Sequence, residues 1–257
     1  MFAFAYDVFL TEFSLYSLKS QMPSGEVYTS AYNFAAGSFG GEIGGEIRGN
    51  FGSLKFFSSG SMERTDDSGN TLGSFSSNFM KLSGGKRLKF GNFDGFLGLG
   101  ISYVSLDPKN VGIGASLLSR LYATGRIKDL NLEGYLMLDN AGYEIKAVGS
   151  RREILPYRVS FGGRAVGDKF SAFLELGRYY MGNFFKLGGE MGINVLNLGF
   201  LYDSRLRSLN GGYGTDFLSG LSIFGELGYK RIKFGYSYTF MGLFGSRNLL
   251  QLSYELD

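Results

Sequence analysis

A period of two runs through the chain from about residue 90 to its end. In the stretch 232–240, Ile232, Phe234, Tyr236, Tyr238 and Phe240 share one side, and Lys233, Gly235, Ser237 and Thr239 the other. Successive side chains of an extended strand point to opposite faces, so this ribbon is apolar on one face and polar or small on the other. The pattern recurs. Leu221, Ile223 and Leu227 alternate with Ser222, Phe224 and Glu226; Phe185, Leu187 and Met191 alternate with Lys186, Gly188 and Glu190. Phe170, Ala172, Leu174 and Leu176 alternate with Ser171, Phe173 and Glu175, and Leu130, Leu132, Leu136 and Leu138 with Asn131, Glu133, Met137 and Asp139. Turn signals at Asp107-Pro108-Lys109-Asn110, Gly182-Asn183, Asn210-Gly211-Gly212 and Gly245-Ser246-Arg247 separate the runs.

Two architectures alternate in this way: a soluble sandwich and a transmembrane barrel. Run length favours the barrel. Many segments extend over about 10–13 residues, whereas a tilted strand needs about 9–11 to cross a bilayer and globular strands are usually about 5–6 residues long. Phe and Tyr cluster near segment ends, as in Tyr179-Tyr180, Phe184-Phe185, Tyr229 and Phe240, where interfacial girdles are expected. The polar face carries isolated charges of both signs, which suits a hydrated lumen. No run of about 18 apolar residues is present. Closing the sheet is then the way to pair every backbone group within lipid.

The N-terminal third is less regular. Residues 37–48, 51–60 and 74–84 read as strands, with a polar tip at 63–71. Residues 6–35 read as a strand pair or as an inward-folded plug. Ala3-Phe4-Ala5 fits the tail of a signal cleavage site, with an apolar N-terminal strand as the alternative. The predicted division is an N-terminal segment, 1–36, and a β-barrel, 37–257. About 13 strand candidates follow residue 38, and single-chain bacterial barrels have even strand numbers. The predicted fold is therefore all-β, a closed antiparallel transmembrane β-barrel of about 14 strands, with about 12 as the alternative.

Composition narrows the chemistry. The 257 residues include 41 Gly, 25 Phe and 17 Tyr, but no Cys, His or Trp, and the net charge is +3. So many aromatics exclude a disordered chain. Without Cys or His there is no disulfide, cysteine nucleophile or usual zinc site, and Ser–His catalysis is impossible. No enzyme activity, metal or cofactor is expected. The small net charge gives no nucleic-acid footprint, and the glycine-rich stretches lack the Lys-Ser/Thr of a phosphate loop.

The segment 58–77, from Ser58-Ser59-Gly60 through Glu63-Arg64-Thr65 to Gly73-Ser74-Phe75-Ser76-Ser77, resembles the PorV/PorQ family of outer-membrane barrels, relatives of the FadL transporters. So do the Leu155-Pro156-Tyr157-Arg158 turn and the closing runs 234–240 and 249–254. The resemblance covers about residues 33–256, and Asn33-Phe34-Ala35-Ala36-Gly37 stands where the family carries Asn-Pro-Ala-Gly. It implies a bacterial outer-membrane location and one of two roles. One is a passive channel or transporter for small, including hydrophobic, molecules. The other is a structural or secretion-accessory barrel that binds a protein partner or anchors an outer sheath. The expected partners are the lipid bilayer, a small solute and a protein, with no nucleic acid. The lumen-facing candidates are Arg164, Glu175, Arg178, Lys186, Glu190, Glu226 and Lys233. They would set selectivity electrostatically, or cross-pair inside a filled barrel. The loop-binding candidates are Glu63, Arg64, Asp66 and Asp67.

Overall fold

The computed structural model describes residues 13–34, 37–66, 68–91, 93–105, 110–147, 154–180, 182–209, 217–242 and 245–256. The signal-like Ala3-Phe4-Ala5 and the turn signals at 107–109 and 210–212 lie outside these residues.

The strands are β1 (Glu26–Asn33), β2 (Phe39–Ile47), β3 (Asn50–Ser58), β4 (Met62–Thr65), β5 (Thr71–Phe75), β6 (Asn78–Phe90), β7 (Phe93–Ser105) and β8 (Val111–Ile127). They continue with β9 (Leu130–Lys146), β10 (Arg158–Val166), β11 (Phe170–Tyr179), β12 (Gly182–Ile193), β13 (Leu196–Asp203), β14 (Leu221–Tyr229), β15 (Ile232–Phe240) and β16 (Ser246–Glu255). All but β4 and β5 close into one antiparallel ring of 14 strands, with β1 sealed against β16 over Glu26↔Glu255 to Asn33↔Asn248. The predicted strand number and closure are met. The stretch 74–84 was read as a single strand. It is divided at Ser76-Ser77 between β5, which pairs with β4 in a separate hairpin, and β6, which belongs to the wall.

The two rims differ. At one, β2–β3, β6–β7, β8–β9, β12–β13 and β14–β15 are joined by two-residue turns, and β1 starts and β16 ends there. Arg48, Lys128, Asn194 and Lys230 adopt positive φ in these turns, as tight hairpins demand. The other rim carries the long connections, including the β4–β5 hairpin and a 3-10 helix at Ser204–Leu209.

Burial follows the pleat. Along β7, Leu97, Leu99 and Ile101 are 51%, 68% and 60% exposed, whereas Phe96 and Ser102 are buried. The same alternation on the other wall strands puts Leu, Ile and Phe outward in a continuous belt. An apolar surface of this extent in water would aggregate; in hydrocarbon it has no such cost. Phe90, Phe93, Phe170 and Tyr229 project outward at the short-turn rim, and Phe39, Tyr103 and Tyr143 near the other, forming the girdles of a membrane barrel. This chain is a transmembrane barrel.

Inside, aromatic rings lie across glycines of the neighbouring strand. Tyr135 is paired with Gly162, Phe173 with Gly188 and Phe224 with Gly199. A Cβ at Gly199 would stand 2.4 Å from the Phe224 ring. Part of the glycine content thus has a structural cause, since each of these three inward rings needs a bare backbone beside it.

The first described residues are not part of the wall. Residues 13–24 enter the lumen, with Phe13, Leu15, Leu18 and Lys19 all buried. One helical turn, α1 (Leu15–Leu18), is held by reciprocal hydrogen bonds between Ser14 and Ser17, a capping box with serine at its third position. Phe13, Leu15 and Leu18 join Tyr32, Phe57, Phe79, Phe173, Phe224 and Leu249 in the apolar core. The core of this protein is therefore inside the ring, between the wall and the inner segment.

Candidate functional site: the filled lumen

The inner segment runs through the lumen from Phe13, beside Tyr32 and Phe79 toward the long-loop rim, to Ser24 at the short-turn rim. Polar contacts fix it along the way. The Leu15 amide donates to Gln251 Oε1 at 2.7 Å. Lys19 Nζ lies 3.2 Å from Glu190 Oε2 and 5.6 Å from the centre of the Phe224 ring. Arg164 Nη2 donates to the Lys19 carbonyl at 2.5 Å, and the Ser20 hydroxyl donates to Glu175. Arg120 donates to the Gln21 carbonyl at 3.1 Å, and Arg87 to Ser24 Oγ at 2.8 Å.

Six of the seven lumen candidates lie on the inner face. Arg164, Glu175 and Lys186 are buried there, and Glu175 stands directly across from Lys186 on the adjacent strand. Glu190 receives Lys19 and the Ser171 hydroxyl. Glu226 and Lys233 share the inward phase of Phe224 and Gly235, and Lys233 is paired with Glu26 at the short-turn rim. Arg178 is a correction. It lies three residues beyond Glu175, so the pleat turns it to the outer face with Leu174 and Leu176, and it is exposed at the end of β11.

Of the loop candidates, Glu63 is exposed on β4. Asp66 organises the hairpin tip, accepting from the Ser68 amide at 2.9 Å, the Asn70 amide at 2.8 Å and the Asn70 side chain at 2.9 Å. These bonds favour the ionised form and hold its carboxyl below the usual carboxylate range. The Arg64 side chain and Asp67 lie outside the described residues.

A second cluster escaped the sequence reading. Glu42, Lys55 and Lys81 occupy one row of paired inward positions on β2, β3 and β6. Arg120, Asp139, Asn140 and Arg158 converge on them from β8, β9 and β10 around a cavity of about 70 Å³. Asp139 is gripped by Arg158 at 2.6 Å and Arg120 at 3.5 Å. The β8–β9 register shifts near Leu117/Ser119, and Asn140 has φ of 61°. This bulge sends two consecutive polar residues, Asp139 and Asn140, into the lumen, where a regular strand would deliver one.

No family model and no curated protein matches the chain. Solved structures do. A TodX monoaromatic hydrocarbon channel variant with the deltaS2S3 change aligns with a TM-score of 0.50 at 10% identity, over 90% of this chain and 89% of that one. The likeness is one of fold. The Pseudomonas putida toluene transporter TodX aligns with a TM-score of 0.47 at 8% identity, over 91% and 89% of the two chains. A Pseudomonas aeruginosa FadL homologue gives 0.47 at 10% identity, over 97% and 96%.

Proposed function

We propose that this chain is a bacterial outer-membrane barrel of the PorV/PorQ and FadL-related kind, a passive channel or transporter for small molecules that its own inner segment closes. The observation that carries the reading is the way residues 13–24 are seated. They are held mainly by side-chain contacts to the wall and continue into β1, so they can leave the lumen without breaking the ring. Their departure would uncover Arg164, Glu175, Lys186 and Glu190, a polar path of mixed charge suited to hydrated solutes. Barrels of this class place short turns in the periplasm and long loops outside, so the rim near Ser24 faces the periplasm. The test is conductance of the full chain in planar bilayers. Discrete openings are expected from protein whose SDS-gel mobility changes on heating. A folded barrel silent at every applied voltage contradicts the channel reading.

A secretion-accessory or anchoring role is the second reading. It is favoured by the β4–β5 hairpin, an ordered two-stranded extension outside the ring with Leu72 60% exposed. It predicts a silent barrel that co-purifies with a protein partner and loses it when residues 62–75 are replaced by a short Gly/Ser turn.

A further inference from the structure

Lys81 is 5% exposed. Its ammonium donates to the Asn140 amide oxygen at 2.8 Å, and it takes part in none of the ion pairs among the described residues. Lys55 stands directly opposite it on β3, and like charges in facing strand positions repel. Burying an ammonium against a neutral amide leaves much of its desolvation uncompensated. Glu42 is engaged by Tyr28 at 2.9 Å and Lys55 at 3.7 Å, and Asp139 by its two arginines. Around the cavity four cations (Lys55, Lys81, Arg120 and Arg158) thus face two carboxylates. Ser83 also lines it, 4% exposed, with a hydroxyl that has no hydrogen-bond partner among the described residues.

We infer that this cavity is a binding site for a small tetrahedral oxyanion of phosphate or sulfate size, received by Lys81, Lys55 and Arg120 with the Ser83 hydroxyl. The space fits. Its 70 Å³ is several times the roughly 10–15 Å³ that admits a single water, so it has room for a small polyatomic ion. The donors approach from β3, β6 and β8, so several oxygens can be met at once. The anion would supply the negative charge that Lys81 lacks.

The site does not depend on conduction, because it is formed with the inner segment in place; Ser14, Tyr16 and Gln21 complete its lining. The experiment is isothermal titration of the full chain in detergent micelles with sodium phosphate, sodium sulfate and sodium acetate, against sodium chloride at matched ionic strength. Phosphate, sulfate or both should give saturable binding. Lys81→Gln should weaken it by about tenfold or more, the loss of one charge-assisted hydrogen bond, and Lys81→Arg should retain most of it. Arg178→Gln, on the outer face, should leave it unchanged. If Lys81→Gln does not give a heat-modifiable barrel, Ser83→Ala and Lys55→Gln carry the same expectation of weaker binding. Absence of saturable binding by either tetrahedral anion, affinity unaltered in all these variants, or a response to acetate alone would overturn the inference.

Discussion

Lys19 is the residue whose removal bears most directly on closure of the lumen. Its side chain and that of Glu190 are 9% and 21% exposed. Leaving one member of a fully buried pair unpartnered costs about 3–5 kcal/mol, whereas exposed pairs are worth about 0–1 kcal/mol. Glu190 keeps the Ser171 hydroxyl at 3.1 Å and some contact with water, so Lys19→Ala belongs between these limits, at about 2 kcal/mol. On the proposed opening the cost falls on the closed state, because Glu190 would be hydrated once the inner segment departs. A bias of about 2 kcal/mol multiplies the open-to-closed ratio by about thirtyfold. The assay is single-channel recording of wild type, Lys19→Ala, Glu190→Ala and the double variant. Open probability should rise in Lys19→Ala. The double variant should show much less than the sum of the two single effects, since neither charge is then left alone. A folded Lys19→Ala barrel with wild-type open probability, or additive single effects, would refute the reasoning.

Two further outcomes follow from particular contacts. A Cβ at Gly162 would meet the Tyr135 ring at 2.5 Å and the Leu174 carbonyl oxygen at 2.6 Å, while Gly134 has open space around it; Gly162→Ala should therefore cost about 1–3 kcal/mol and Gly134→Ala almost nothing, read from urea unfolding in lipid vesicles. Asp66 is ionised more readily in the folded hairpin than in an open chain, so its contribution is complete above about pH 4 and disappears as pH falls through the lower folded value. The Ser68 and Asn70 amide resonances should shift with that titration and be pH-insensitive over the same range in Asp66→Asn; identical titration in both proteins would contradict the assignment of these bonds.

The wall was legible because a period of two is a local property. Once Leu174 was placed outward, Glu175 had to be inward, and β11 obeys this along its length. The same rule turns Arg178 outward, so its assignment to the lumen failed through a lapse in phase and not through any departure by the chain. Where the period breaks, the sequence was less informative. The bulge at Asn140 reverses the phase, and no alternation around residues 138–142 announces which face the next residue takes; the adjacent polar pair Asp139-Asn140 is the one signal. Lys55, Lys81 and Arg158 meet only because strands distant in sequence are neighbours in the ring or face one another across it. The inner segment has too few residues for a period to be diagnostic, and the place of Leu15 and Leu18 inside the barrel is decided by tertiary packing.

The central claim, that one face of each strand meets lipid and the other meets protein, has a direct test because the chain contains no Trp. Phe161 on β10 is 58% exposed on the outer face, and Phe173 on the adjacent β11 is 7% exposed on the inner. Each can carry the sole indole as Phe161→Trp or Phe173→Trp, reconstituted in vesicles with lipids brominated along their acyl chains. Strong quenching of the indole at 161 and little at 173 is the predicted result. Equal quenching, or stronger quenching at 173, would contradict it.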